Sequence, residues 1–337
     1  MKILIIKFGA AGDVLRTTGL LAPLKRKYPG GEIHWLVAPE SAVLLMNNPD
    51  ISDIKGYSER ARDLLTKNII NEKFDLVINL EEEQAAAEIA SAMKCEKAGF
   101  VFKEGEISPT IDAQEMWKMS ILGPRPDNDV LKKNNKKTYQ RLIADIAGLD
   151  EPAGPPIYLN SPRHNDSGNA GDAPLKPLVG INFGAGTRWP TKRMPLEKVK
   201  ELISRISSLG IYDIAVFGGT NEEYDITQIR KEYPSLAYWS GMPIHDFAEK
   251  LGRCACVITT DTLALHMSLA VGSPVVALFG PTSFSEVEIF DNGYKVRPDM
   301  GCLCCYKKEC PKKPLCMESF NIDEILALVS AVTASKK

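Results

Sequence analysis

Residues 256–282 read CVITTDTLALHMSLAVGSPVVALFGPT, and this stretch decides the architecture. A β-branched run, CVITT, ends at Asp261; helical spacing follows, Gly272 stops it, and a second apolar run, VVALF, opens after Pro274. Strand, helix and strand in that order form a βαβ unit, whose strands run parallel with a right-handed crossover. The alternation extends upstream. LVGINFG (178–184) and DIAVFGG (213–219) read as strands, while LEKVKELISRISSLG (196–210), stopped by Gly210, and IHDFAEKLGRC (244–254) read as helices. The first half repeats the scheme. KILIIKF (2–8) is a strand, GAAGD (9–13) a tight loop, and VLRTTGLLAPLKRKYP (14–29) has helical spacing. EIHWLVAP (32–39) and DLVINL (75–80) are further strands, and a helix is expected from Lys136 to Leu149. Between Glu151 and Lys176 the chain turns to Pro, Gly, Asn and Asp with little apolar periodicity, as a linker does. The expected plan is an α/β chain of two doubly wound domains, 1–155 and 177–337, joined by a linker at 156–176.

The 337 residues are 44% hydrophobic and 25% charged with a net charge of −2, an ordinary globular composition with no basic field for nucleic acid. The apolar start reaches Asp13 too early for a signal peptide, and no run of about 18 apolar residues exists, so the reading is a cytoplasmic protein. Two such domains place a ligand outside the carboxyl ends of their strands, in the cleft they face. The residues expected there are Asp13, Gly184 to Lys192, Gly218–Gly219, Asp261 and Gly280–Pro281–Thr282.

Gly9-Ala-Ala-Gly12-Asp13 lacks the third glycine of a dinucleotide fingerprint, so no nicotinamide or flavin site is read. Asp13 is either a plain helix N-cap or a general base at a strand end. In the second half, Gly184, Gly186 and Thr187 follow a strand, with Arg188, Lys192 and Arg193 close behind. That combination suits a diphosphate, peptide N–H groups donating and a lysine supplying charge, or is a solvated basic loop. Asp261 and Thr262 stand where a strand meets a helix, and His266 lies one turn on. Thr262 and His266 share a helix face that leads to the N-terminal end, where phosphate is favoured. Asp261 either caps this helix or accepts hydrogen bonds from sugar hydroxyls.

The blocks Lys7, Gly12–Asp13 and Thr17, then Gly184–Ala185, Lys192–Arg193 and Pro195, then Asp261–Thr262, His266, Ala270, Gly272, Pro274 and Leu278 to Thr282 resemble glycosyltransferase family 9. Phe217–Gly219 with Glu222, and Ser240–Gly241, fit the same family, that of the heptosyltransferases of lipopolysaccharide core assembly. The resemblance implies a GT-B fold, two Rossmann-like domains facing across a cleft, and an inverting transfer of heptose or a similar sugar from an ADP-sugar. Asp13 would be the base, and the donor side would comprise Gly184, Gly186, Thr187, Lys192, Gly241, Asp261, Thr262 and His266. The acceptor side would comprise Lys7, Gly12 and Arg16, for a saccharide or glycolipid. The sequence departs from the family at Leu263, Met194 and Asn79-Leu-Glu-Glu-Glu83, the last in the acceptor half. No acidic pair with metal-ligand spacing accompanies the diphosphate residues, so no cofactor is expected for catalysis. A nucleotide-sugar 2-epimerase and a catalytically impaired nucleotide-sugar-binding subunit are the alternatives.

Of eight cysteines, Cys302, Cys304, Cys305, Cys310 and Cys316 crowd into residues 302–316. Cys302, Cys305, Cys310–Pro311 and Cys316–Met317 follow a pattern carried by many members of the family, and three readings stay open: a structural zinc or iron ion, free thiols, or a disulfide. Lys132, Lys133, Lys136 and Lys137 form a basic run that is either a solvated face or a patch for anionic headgroups at the inner membrane surface.

Overall fold

The structure, a computed structural model, describes residues 1–120, 128–159, 176–186 and 189–334. Thr187, Arg188 and most of the expected linker fall outside these residues. The chain divides into two units, Met1–Asn160 and Ser161–Lys337.

The first unit runs β1 (Lys2–Ile6), α1 (Ala11–Thr17), α2 (Leu21–Lys27), β2 (Glu32–Val37), β3 (Asp53–Gly56), α3 (Arg62–Asn71), β4 (Leu76–Asn79), α4 (Gln84–Ala92), β5 (Glu96–Lys103), β6 (Glu106–Pro109), α5 (Gln114–Met119), α6 (Asn128–Asn134) and α7 (Tyr139–Ile146). Its sheet has the order β3-β2-β1-β4-β5-β6, parallel except for the β5–β6 pair. Ile3 to Ile6 pair with Leu76 to Asn79, so the two most apolar strands lie side by side in the middle.

The second unit runs β7 (Leu178–Asn182), α8 (Leu196–Ser208), β8 (Asp213–Gly218), α9 (Glu223–Glu232), β9 (Ala237–Ser240), α10 (Ile244–Gly252), β10 (Cys256–Thr260), α11 (Leu263–Ala270), β11 (Val275–Leu278), β12 (Gly293–Val296) and α12 (Ile322–Ala334). Its sheet order is β12-β11-β10-β7-β8-β9, the same winding, and every pair is parallel. One core packs Val199, Leu202, Ile203 and Ile206 of α8 and Ile325 and Val329 of α12 onto Val179, Ile181, Ile258 and Val276. Each such aliphatic side chain contributes about 1.5–3 kcal/mol on burial. Among the described residues no helix is long and apolar enough to cross a membrane.

Two expected helices change. The spacing at 14–29 breaks into α1, a 3-10 turn at Thr18–Leu20, and α2. The break has a cause: Thr18 Oγ1 accepts from Ile157 N at 2.7 Å, and Gly154 N donates to Gly19 O at 2.9 Å, so the turn docks a later segment. The helix expected from Lys136 begins instead at Tyr139, because Thr138 caps it by accepting from Arg141 N.

Candidate active site

In both sheets the winding reverses direction at the middle pair, β1/β4 and β7/β10. A crevice opens at such a point beyond the carboxyl ends, and ligands of doubly wound sheets bind there. The residues at these two points come from the sequence blocks singled out above.

At the first point, the chain leaves β1 through Lys7, Phe8 and Gly9 and enters α1. Asp13 is in the third position of that helix; the N-cap is Ala10, and no side chain caps the end. The plain N-cap alternative for Asp13 is therefore incorrect. Its carboxylate pairs with Arg16 at 2.9 Å and remains 30% exposed. Arg16 in turn stacks over the Tyr139 ring, 3.6 Å from its centroid, and Thr17 Oγ1 lies 2.9 Å from the Tyr139 hydroxyl. Gly12 sits beside Asp13 in the first turn. Burial and the nearby Asp13 raise the pKa of Tyr139, against the pull of Lys7 and Arg16, so the phenol is kept protonated.

Lys7 is buried beneath this turn and pairs with Glu81 at 3.2 Å. Burial disfavours its ammonium, but Glu81, Tyr139 and Asp13 outweigh that and hold Lys7 above its ordinary value. Glu81 follows β4, and Gly99 on β5 makes the strand end possible: a Cβ there, at φ +99°, would lie 1.9 Å from Asn79 O. Next to it, burial raises Glu82, which Ser120 hydrogen-bonds.

At the second point, Asn182 Nδ2 spans the gap between the strands, donating to Thr259 Oγ1 at 3.2 Å and Thr262 Oγ1 at 3.3 Å. Thr262 is the N-cap residue of α11, and its hydroxyl turns back toward Asn182 and Thr260 O rather than toward the helix N-terminus. Asp261 does not cap α11. Its carboxylate lies 3.7 Å from both Lys192 Nζ and His266 Nε2, and its carbonyl accepts from Lys192. The structure thus brings Lys192, Asp261 and His266 together, with Thr262 beside them. Gly186 adopts φ +61° before the part of the loop that holds Thr187. Gly184 leaves room for Glu222, whose carboxyl carbon would lie 2.6 Å from an added Cβ. Glu222 is buried and accepts from Gly219 N at 2.9 Å. Gly241, at φ +60°, follows β9 at the same end of the sheet.

Residues 302–316 pack onto this end. Cys304 N donates to Gly280 O at 2.9 Å and Tyr306 N to Pro281 O at 2.8 Å. The Tyr306 hydroxyl accepts from Ser283 N and donates to Glu286, and its ring meets Trp189 edge-on. Thr191 Oγ1 donates to Lys307 O at 2.6 Å. The Cys-rich segment therefore braces both loops that flank Lys192 and Asp261. None of the eight cysteines forms a disulfide. Burial, with Cys305, Cys310 and Cys302 adding to it, pushes the Cys316 thiol up to about 11. Among the described residues, however, no group of three or more His, Cys, Asp or Glu is arranged to hold a metal ion. Sequence reasoning passed over Tyr306 and left Glu81 and Glu222 out of the site; their signals were the Asn79–Glu83 departure for Glu81 and, for Glu222, its place three residues after Gly219.

The model of the family described as glycosyltransferase family 9 (heptosyltransferase) matches residues 62–316. Lipooligosaccharide heptosyltransferase 2 of Haemophilus influenzae is 28% identical over 319 residues, 84% of each chain. Lipopolysaccharide heptosyltransferase 3 of Escherichia coli K12 is 31% identical over 295 residues, 80% of each chain. The solved structure of E. coli ADP-heptose lps heptosyltransferase II superimposes with a TM-score of 0.72 at 17% identity, covering 100% of this chain and 99% of that one.

Proposed function

The chain belongs to glycosyltransferase family 9, with the GT-B fold of its heptosyltransferases, and we propose that it is an inverting enzyme moving a heptose or similar sugar from an ADP-sugar to a saccharide acceptor of the lipopolysaccharide core. The observation that carries the donor half of this reading is the Lys192–Asp261–His266 group at the head of α11. A cation beside a helix N-terminus matches a diphosphate that leaves with growing negative charge. The similar E. coli ADP-heptose lps heptosyltransferase II, which takes its name from that donor, supports adenine as the base. Lys192, the α11 N-terminus, Gly184, Gly186 and Thr187 take the diphosphate, Asp261 orients the donor sugar, and His266 holds Asp261. Gly241 and Thr262 complete the donor side.

In the transfer, the Asp13 carboxylate takes the proton of the acceptor hydroxyl as its oxygen bonds to the anomeric carbon. The bond from that carbon to the β-phosphate oxygen breaks, and its electron pair leaves with ADP. Lys7, Gly12 and Arg16 belong to the acceptor side, Arg16 already holding Asp13 in place. Because Lys192 and the helix N-terminus supply the positive charge, the reaction needs no divalent cation. The test is ADP release from ADP-heptose with a heptose-deficient lipopolysaccharide acceptor, with and without chelator. An equal rate is expected; a loss that Mg²⁺ restores would overturn the metal-free reading, and ADP-heptose turnover without acceptor would favour an epimerase.

The loop geometry makes a second prediction. Gly184→Ala drives a Cβ into Glu222, breaking the carboxylate's bond to Gly219 N–H. Loss of a charge-assisted hydrogen bond of about 1.5 kcal/mol corresponds to roughly tenfold weaker ADP binding by calorimetry. Wild-type affinity in a folded variant would exclude this loop from the donor site.

The four thiols Cys302, Cys305, Cys310 and Cys316 do not, as placed, form a ligand set for zinc or iron, and no step is assigned to a metal there. In this reading they serve as thiols that pack the brace around Tyr306. The basic run contributes less free charge than expected, because Lys137 pairs with Glu115 at 2.5 Å and with Asp145 at 3.1 Å. Any contact with an anionic membrane surface would fall to the rest of the run.

A further inference from the structure

Glu81 sits where the sequence departs from its family's pattern, and its surroundings are specific. One oxygen, Oε2, accepts from Lys7 Nζ at 3.2 Å, Phe8 N at 3.0 Å and Gly9 N at 3.3 Å. The other accepts from Glu82 N at 3.3 Å. Glu81 N donates to Asn79 Oδ1, and Asn79 Nδ2 to Phe100 O at 2.7 Å, so the carboxylate is anchored to the neighbouring strand. The pair is closed from water, with side-chain exposures of 8% for Lys7 and 10% for Glu81. Every donor on Oε2 lies in the short segment between β1 and the helix that carries Asp13.

We propose that Glu81 is a positioning residue for proton transfer: it fixes the segment leading to Asp13 and cancels the buried Lys7 charge, so that Asp13 stays basic enough to accept the acceptor's proton. The proposal rests on the reading of Asp13 as the base. Among the described residues, Asp13 on α1 and Tyr139 on α7 act on Lys7, Arg16 on α1 faces Asp13, and Glu82 after β4 interacts with Lys7, Glu81 and Lys132 on α6. Asp13 already faces the Arg16 guanidinium. A second, uncompensated cation would stabilise its carboxylate further and weaken it as a base. The acidic residue after β4 has the opposite effect of a phosphate-binding group: it removes positive charge from this part of the acceptor side.

The experiment compares pH profiles of kcat/KM in the wild type, Glu81→Gln, Lys7→Gln and the double variant. Glu81→Gln keeps an acceptor for Phe8 and Gly9 N–H but leaves Lys7 charged. Its acid limb should move down by about one pH unit, with a lower plateau, while ADP affinity is unchanged. Lys7→Gln should move the limb up, and the double variant should return it close to the wild-type position. A rate loss in Glu81→Gln with an unmoved limb, or a double variant that stays shifted, overturns the proposal. If Glu81→Gln does not fold, Lys7→Gln decides alone: an unmoved limb overturns the proposal. An Asp13→Asn variant that still turns over overturns the base reading itself, whereas an inactive Asp13→Asn with unmoved limbs in the other variants overturns only the role of Glu81.

Discussion

Asp13→Asn should slow transfer about 10²–10⁴-fold, the range for removing a general base, while ADP affinity stays within a few-fold of wild type. The substitution is isosteric and removes no cap, since Ala10 occupies that position. It weakens the 2.9 Å pair with Arg16, but a partly exposed pair of this kind contributes at most about 1 kcal/mol, so the melting temperature should barely move. A large kinetic loss without a stability loss separates a catalytic carboxylate from a structural one. Undiminished turnover, measured where chemistry limits the rate, would reduce Asp13 to a helix residue that pairs with Arg16.

Lys192→Ala should weaken ADP binding and slow turnover together. The ammonium is held at the head of α11 by the Asp261 carbonyl and carboxylate, with only 13% of its side chain exposed. A bound diphosphate would meet a fixed charge, which is why its loss is expensive. Removal of a charged hydrogen bond of about 1.5–3 kcal/mol raises the ADP dissociation constant roughly 10–100-fold. Calorimetry with ADP is the direct measurement, and an unchanged constant would move Lys192 out of the site.

The strands that carry the site were legible because they are buried. β1, β2, β4, β7, β8, β10 and β11 are apolar runs nearly throughout, as parallel strands covered on both faces must be. β3, β9 and β12 escaped notice: they are short edge strands, at most partly buried along most of their length. β6 is the other edge strand of the first sheet, and β5 beside it is only partly buried along most of its length, so both mix charge with apolar residues. At the site, Asp261 and His266 were readable from one motif, because a strand end and the helix after it fix their relative placement, while Lys192 was read from a separate block after β7. Glu81 and Tyr306 were not, since each acts on a loop distant in sequence: Glu81 on Phe8 and Gly9, Tyr306 on Pro281 and Ser283. Local periodicity carries no information on such pairings. The spacing also promised a helix through Lys136 and Lys137, where Thr138 starts it later.

Each sheet is wound outward from its middle, and this couples assembly to ligand binding. The strands that flank each reversal are the pair most separated along the chain: Ile3 meets Leu76, and Asn182 meets Thr259. Their meeting closes a loop that contains an entire βαβ arm, and closure entropy grows with loop length. A partly folded unit can thus hold helices and one arm of its sheet while the two strand ends remain apart. A nucleotide that recognises only the closed pair gives nothing to such intermediates and stabilises the finished unit by mass action, about 2.7 kcal/mol at a hundredfold excess over its dissociation constant. The donor, in this view, acts as a folding ligand for the half of the chain that binds it.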